Sequence, residues 1–287
     1  MTTQPTSSKA TDVLTAIILF FITFVLWQIY PQILEIVKPG YPYDIILFLT
    51  IPSLSLAIYA LFIKLRKTTF KRHGFRKPTT INTSKTIKLT LTCIAIYIIM
   101  ILAPGITTML STGSISEGFE VTIYPLTLGN TLHRIVLGIA YAIILSLTYE
   151  LIFRGYIFRN LVRHYGFFTS LYASSIMFSL HQVSIKSLLS MTTEALVTYI
   201  FMTILTAFAA GLFLGFFFYK VGWSLLGPIT FQLGALFFMW PEPIISSTSL
   251  WWMSLTFQVI AYAILILAID TFIKEPLYRR KRYGLES

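Results

Sequence analysis

The sequence predicts an all-α, polytopic membrane protein with eight transmembrane helices, and three observations predict it. Of 287 residues, 56% are hydrophobic and only 11% are charged, whereas a soluble domain carries about 25% charged residues. The apolar residues gather into runs free of charge at 13–34, 45–63, 89–116, 165–185, 195–219, 221–241 and 243–269. A bilayer core about 30 Å thick needs about 20 such residues in a helix, so each run qualifies once its ends are read as loop. The basic residues, finally, alternate between the connections. The same composition excludes a disordered chain. The excess of 22 Lys and Arg over 11 Asp and Glu does not call for nucleic acid, because in a membrane protein it marks the cytoplasmic rim facing anionic lipid.

The elements follow in order. The first span has a polar leader (residues 1–12) and no small-residue cleavage site behind it, which reads as an uncleaved anchor helix. After the second span, the 64–88 segment holds nine basic residues: Lys64, Arg66, Lys67, Lys71, Arg72, Arg76, Lys77, Lys85 and Lys88. A plain basic linker is preferred there to an amphipathic element lying on the inner leaflet. The connection after the third span, 111–131, has no basic residue and carries Glu117 and Glu120. The run 135–149 is too short alone but continues through Glu150 and Arg154, so 133–163 reads as one long helix with buried charge. Gly166 is the natural turn into the fifth span, and Lys220-Val221-Gly222 the turn into the seventh. Arg159 and Arg163, and the tail residues Arg279, Arg280, Lys281 and Arg282, fall on the side of the 64–88 loop if both termini are cytoplasmic. That topology places the acceptor-like Asn82-Thr83-Ser84 inside, where it is not glycosylated. The one cysteine, Cys93, gives no intrachain disulfide and no cysteine metal cluster. Without an internal repeat, a single membrane domain accounts for residues 1–287.

Ionisable groups inside a bilayer mark a functional site by default. Mid-span candidates are Glu150, Arg154, His181, Gln232 and Gln258, with Asp270 near a helix end. Glu150 and Arg154 are four apart, share a helix face and can pair; taken alone, they read as a structural ion pair. Glu150 lies 16 residues before Gly166 and His181 lies 15 after it. At 1.5 Å per residue, an antiparallel helix pair brings them to one depth. Gln232 lies ten residues beyond Gly222, below Pro228, and divides evenly between an interhelical hydrogen-bond role and a site role. Ala207, Gly211 and Gly215, spaced by four, form a stripe for close helix packing.

These residues resemble a family. Tyr149-Glu150-Leu151-Ile152-Phe153-Arg154-Gly155 is similar to the Glu-Glu-x-x-Phe-Arg-Gly signature of the CAAX-processing and bacteriocin-processing (CPBP) intramembrane proteases. Ser175–His181 resembles the second motif of that family, and Gly222–Gln232 its third. The similarity covers roughly 130–240, a protease-like core. It implies an intramembrane endopeptidase of the CAAX-processing type, in which the first Glu and first His activate water while a second His and an Asn stabilise the oxyanion. Carried over, the first Glu falls on Tyr149, the second on Glu150, the Arg on Arg154, the first His on His181, the second on Gln232 and the Asn on Leu236.

Three of the four directly catalytic positions therefore differ. Tyrosine, with an ordinary pKa of about 10, is a poor base at neutral pH. Gln232 can still offer an N–H to an oxyanion, whereas Leu236 offers nothing. A zinc site needs three protein ligands and an open position; His181 and Glu150 fall short, so neither metal nor cofactor is expected. Two readings stand. One is an endopeptidase with a rearranged site, His181 its base and Gln232 its oxyanion donor. The other is a protease-like fold without proteolysis, a pseudoprotease that binds a lipidated or transmembrane peptide segment as a chaperone or complex subunit. A transporter would show broken paired helices and an internal repeat, which the sequence lacks. Tyr149, His181 and Gln232 are expected to converge on one polar cavity opening to the cytoplasm, with Tyr149 and His181 sharing a hydrogen bond.

Overall fold

In lipid every backbone N–H and C=O must find a partner within the protein, and a helix meets that demand within one segment. The computed structural model describes residues 8–37, 43–74, 83–114, 128–239 and 251–273, helical nearly throughout and without a strand among the described residues. Helix α1 is Lys9–Val37, α2 Tyr43–Leu65 and α3 Thr83–Thr112. Helix α4 begins at Leu128–Tyr149, continues as a π-helix over Glu150–Phe158 and ends as Arg159–Tyr165. Then come α5 (Phe167–His181), the short α6 (Ile185–Ser190), α7 (Thr193–Lys220), α8 (Leu226–Met239) and α9 (Trp251–Phe272). Among the described residues, four helical stretches are long and apolar enough to cross a membrane: Lys9–Tyr30, Thr83–Thr112, Ile139–Tyr165 and Thr203–Lys220. Three shorter apolar ones, Leu49–Leu65, Leu226–Leu236 and Thr256–Phe272, accompany them. The protein is an all-α, multi-pass membrane protein. The acidic pair Glu117 and Glu120, the acceptor-like Asn82, the basic residues Arg76 and Lys77 and the tail Arg279–Arg282 lie outside the described residues.

Two apolar clusters organise the helices. One gathers Leu19, Tyr59, Phe153, Ile157, Leu171 and Phe178 from α1, α2, α4 and α5. The other gathers Tyr97, Phe213, Phe217, Phe231, Tyr262 and Leu265 from α3, α7, α8 and α9. Helix α4 is the axis: it packs on α1, α2, α5, α7 and α8. The small-residue stripe expected on α7 is packing, since a Cβ on Gly211 would meet Ser175 of α5 at 2.9 Å. Hydroxyls inside the bundle bond back to their own helix, as Thr90 does to the Thr86 carbonyl (2.7 Å). Thr148 reaches two carbonyls, its own helix's Ile144 (2.7 Å) and that of Pro52 on α2 (3.1 Å), and so ties α4 to α2.

Two departures from the expected helices shape the site. The fourth helix widens to π winding at Glu150, and all nine residues Glu150–Phe158 are buried. Wider winding turns backbone carbonyls outward and is frequent at functional sites. The carbonyl of Gly155 uses that freedom, accepting from His73 Nδ1 at 2.9 Å. Gly155 must be glycine there, because a Cβ would stand 2.8 Å from the His73 carbonyl oxygen. The fifth helix, expected to run on to residue 185, stops at His181. Non-helical backbone at membrane depth survives only where protein satisfies it, and Gln28 of α1 does so. Its Nε2 donates to the Val183 carbonyl (2.7 Å) and its Oε1 accepts from the Ile185 N–H (2.8 Å). The Tyr199 hydroxyl accepts from the Ser184 N–H at 3.1 Å.

Candidate functional site

Beside this break lies a cavity of about 380 Å³, walled by α1, α4, the end of α5 and α8. Gly166 turns α4 into α5 with φ of 77°, so the two helices run antiparallel, and Tyr149 and His181 meet with ring centroids 5.6 Å apart and edge to face. Trp27 of α1 closes on both rings, 5.6 Å from Tyr149 and 5.7 Å from His181. Gln232 and Leu236, one helical turn apart on α8, complete the wall. The sequence-derived positions Tyr149, His181, Gln232 and Leu236 thus line one cavity.

Its chemistry differs from the expected chemistry in two respects. Tyr149 and His181 do not share a hydrogen bond: the tyrosine hydroxyl points past the imidazole and donates to Gln182 Oε1 at 3.5 Å. The edge-to-face ring contact sets that direction, because stacking and a shared hydrogen bond require different ring orientations. Glu150 and Arg154 do not line the cavity. They pair at 3.1 Å, both buried, with the guanidinium 4.2 Å over the Phe178 ring. The pair lacks aligned hydrogen bonds, for both carboxylate oxygens and both terminal guanidinium nitrogens have no hydrogen-bond partner. Of the other mid-span candidates, Gln258 is absent from the cavity wall. Asp270 is largely exposed and accepts from Lys220 Nζ at 2.6 Å, joining the ends of α7 and α9.

Four polar atoms in the cavity wall are buried and without a hydrogen-bond partner: Trp27 Nε1, His181 Nδ1, Gln182 Nε2 and Gln232 Oε1. Such atoms cost about 1–3 kcal/mol each when left unmet, a cost that water or a ligand in the cavity would remove. The wall holds one histidine and no Asp, Glu or Cys. Gln28, Trp27 and Gln182 escaped the sequence reading. Gln28 was legible as an amide inside the first apolar run, and Gln182 as the neighbour of His181.

Residues 131–238 match the profile of the Rce1-like family, described as type II CAAX prenyl endopeptidase Rce1-like. Over this segment the chain is similar to that family. The match runs from the first turns of α4 to the end of α8, the interval that carries all three motifs and every α4, α5 and α8 residue of the cavity wall. The Rce1-like segment therefore supplies three sides of the cavity, and α1, outside the match, supplies the fourth through Trp27, Gln28 and Tyr30. No curated protein matches the chain in sequence.

Proposed function

We propose that this CAAX-protease-like membrane protein holds a peptide segment in the Rce1-like cavity without hydrolysing it, as a pseudoprotease. The observation that carries the reading is the absence of any carboxylate among the residues lining the cavity. Attack of water on an amide needs a base within about 3 Å of that water, with a pKa near the working pH. Tyr149 stands where the family has its glutamate, and a phenol is protonated at neutral pH. Glu150 is engaged by Arg154 at 3.1 Å and is not among the residues lining the cavity. The atoms that do face the cavity suit binding. Trp27 Nε1 and the Gln182 amide can donate to the backbone carbonyls of a bound peptide, and Gln232 offers an amide to either a carbonyl or an N–H. Aromatic walls from Trp27, Tyr30 and Phe178 accept an apolar side chain or a prenyl group.

The test is purified full-length protein in nanodiscs, offered a fluorescent peptide in prenylated and unprenylated forms. Binding is expected to weaken in Gln232→Leu, with no cleavage product over hours. Tyr149→Glu, which restores the carboxylate, is expected to yield slow cleavage limited by the missing histidine and asparagine. Cleavage by the unaltered protein that His181→Ala abolishes would overturn the reading in favour of an endopeptidase with His181 as base and Gln232 as oxyanion donor.

A further inference from the structure

A second cavity, of about 450 Å³, lies at the start of α1. It is enclosed by the start of α1, the end of α2, the 67–73 turn and the last turns of α4. Arg66, Lys67, Arg72 and Arg163 line it, with Asp12 as the one carboxylate among the lining residues. Four cations against one anion leave a formal excess of three positive charges. Asp12 is already committed: it pairs with Arg66, with Arg163 at 3.8 Å and with His164 at 3.0 Å. Lys67 has no ion-pair partner among the described residues. His73 in the wall donates from Nδ1 to the Gly155 carbonyl, and burial holds its pKa down at about 3, so the ring is neutral near pH 7. Its Nε2 then accepts from the Thr68 hydroxyl at 3.0 Å.

Backbone conformation singles out Lys67 further. Helix α2 ends in a Schellman motif, in which the Thr68 N–H reaches the Ile63 carbonyl (3.1 Å) and the Lys67 N–H that of Lys64 (3.0 Å). The residue that closes this motif adopts left-handed dihedrals and is usually glycine. Here it is Lys67, with φ of 47°. The chain thus carries a strained lysine where glycine would be relaxed, at the mouth of a cavity already rich in cations. Residues held in such conformations cluster at active sites and ligand clamps.

We infer that this cavity binds a phosphate group at the membrane surface, held by Lys67 and Arg72 with Arg66 and Arg163 behind them. Guanidinium forks and an ammonium suit the tetrahedral oxygens of phosphate. Basic pockets between transmembrane helices take anionic lipid headgroups in this way. The phosphate belongs either to such a headgroup or to a soluble phosphate compound, and the two sources are separable.

The experiment measures thermal unfolding of the full-length protein in phosphatidylcholine nanodiscs at constant ionic strength. In one arm phosphatidic acid replaces part of the lipid; in the other, inorganic phosphate is titrated into the buffer. A rise in melting temperature is expected in at least one arm. A response to phosphatidic acid alone assigns the headgroup, and a response to inorganic phosphate assigns the soluble source. Lys67→Gly and Arg72→Gln are each expected to weaken binding roughly tenfold or more, the worth of one charge-assisted hydrogen bond. Lys67→Gly is expected to melt at or above the unaltered protein without ligand, because it relieves the left-handed strain, so its lost response is not lost folding. Lys88→Gln, an exposed lysine of α3 away from the cavity, is expected to respond as the unaltered protein does. No response in either arm overturns the inference. So does a response that survives Lys67→Gly and Arg72→Gln, or one that Lys88→Gln removes equally.

Discussion

Arg154 illustrates how a single residue divides between structure and site. Its pairing with Glu150 at 3.1 Å follows from the four-residue spacing. Removing one partner of a buried pair typically costs about 3–5 kcal/mol, because the other charge is left uncompensated. Arg154→Ala is therefore expected to lower the melting temperature sharply, whereas Arg154→Ala with Glu150→Ala is expected to recover part of the loss. Equal melting of Arg154→Ala and the unaltered protein would show that the pair is not buried as described. His73 carries the pH dependence. Burial, partly opposed by the bond to the Gly155 carbonyl, holds its pKa down at about 3 instead of 6.5. Below about pH 6.5 the unfolded chain takes up a proton that the folded protein refuses. Stability from this group is thus fully present above pH 6.5 and declines as pH falls toward 3. His73→Asn is expected to flatten that slope in unfolding followed between pH 7 and pH 4, and an unchanged slope would rule His73 out as its source.

At the scale of elements, the break after His181 decides where the cavity lies. The 165–185 run reads as one apolar stretch, and nothing local in it demands an end at residue 181. The end is imposed from α1, where Gln28 occupies both the Val183 carbonyl and the Ile185 N–H. Gln28→Leu leaves those two groups unmet, at about 1–3 kcal/mol each. The variant is expected to melt lower and to bring amide exchange forward at residues 182–186 while leaving α2 and α3 protected. Uniform loss of protection across all helices would mean that Gln28 holds the bundle and not the turn. The π winding from Glu150 to Phe158 was hidden for the same reason. It brings the Gly155 carbonyl to His73, a contact between residues 82 positions apart, and no periodicity of the fourth helix announces it.

For the whole molecule, the basic cavity sits at the start of α1 and the Rce1-like cavity just past its midpoint. Asp12 borders one and Trp27 the other, and 15 residues of helix separate them by roughly 22 Å. The sequence carries two expectations of orientation, a cytoplasmic basic end and a site opening to the cytoplasm. In this bundle they exclude each other if each cavity opens at its nearer face, because 22 Å is most of a bilayer core about 30 Å thick. The charge rule favours the basic end inside. Cysteine labelling in a Cys93→Ser background checks it: Thr69→Cys, next to the basic cavity, is expected to react from the cytoplasmic side and Ser111→Cys, at the far end of α3, from the other. Reversed labelling would place the Rce1-like cavity on the cytoplasmic side instead.

Composition and the charge-free runs determined that this chain is helical and lies in lipid, because a bilayer permits few alternatives to helices for apolar segments of that length. Spacing alone placed Glu150 beside Arg154 on one helix face, and Tyr149 level with His181 about Gly166, since helix rise and pitch are constants. Gln232 and Leu236 reached the cavity as their motif implied. Only the tertiary structure decided which atoms face it. The Tyr149 hydroxyl turns to Gln182 because packed rings set its direction, α1 furnishes the fourth wall from outside the matched segment, and His73 secures the widened turn of α4. Each of these depends on contacts between residues far apart in the chain, where neither periodicity nor spacing carries information.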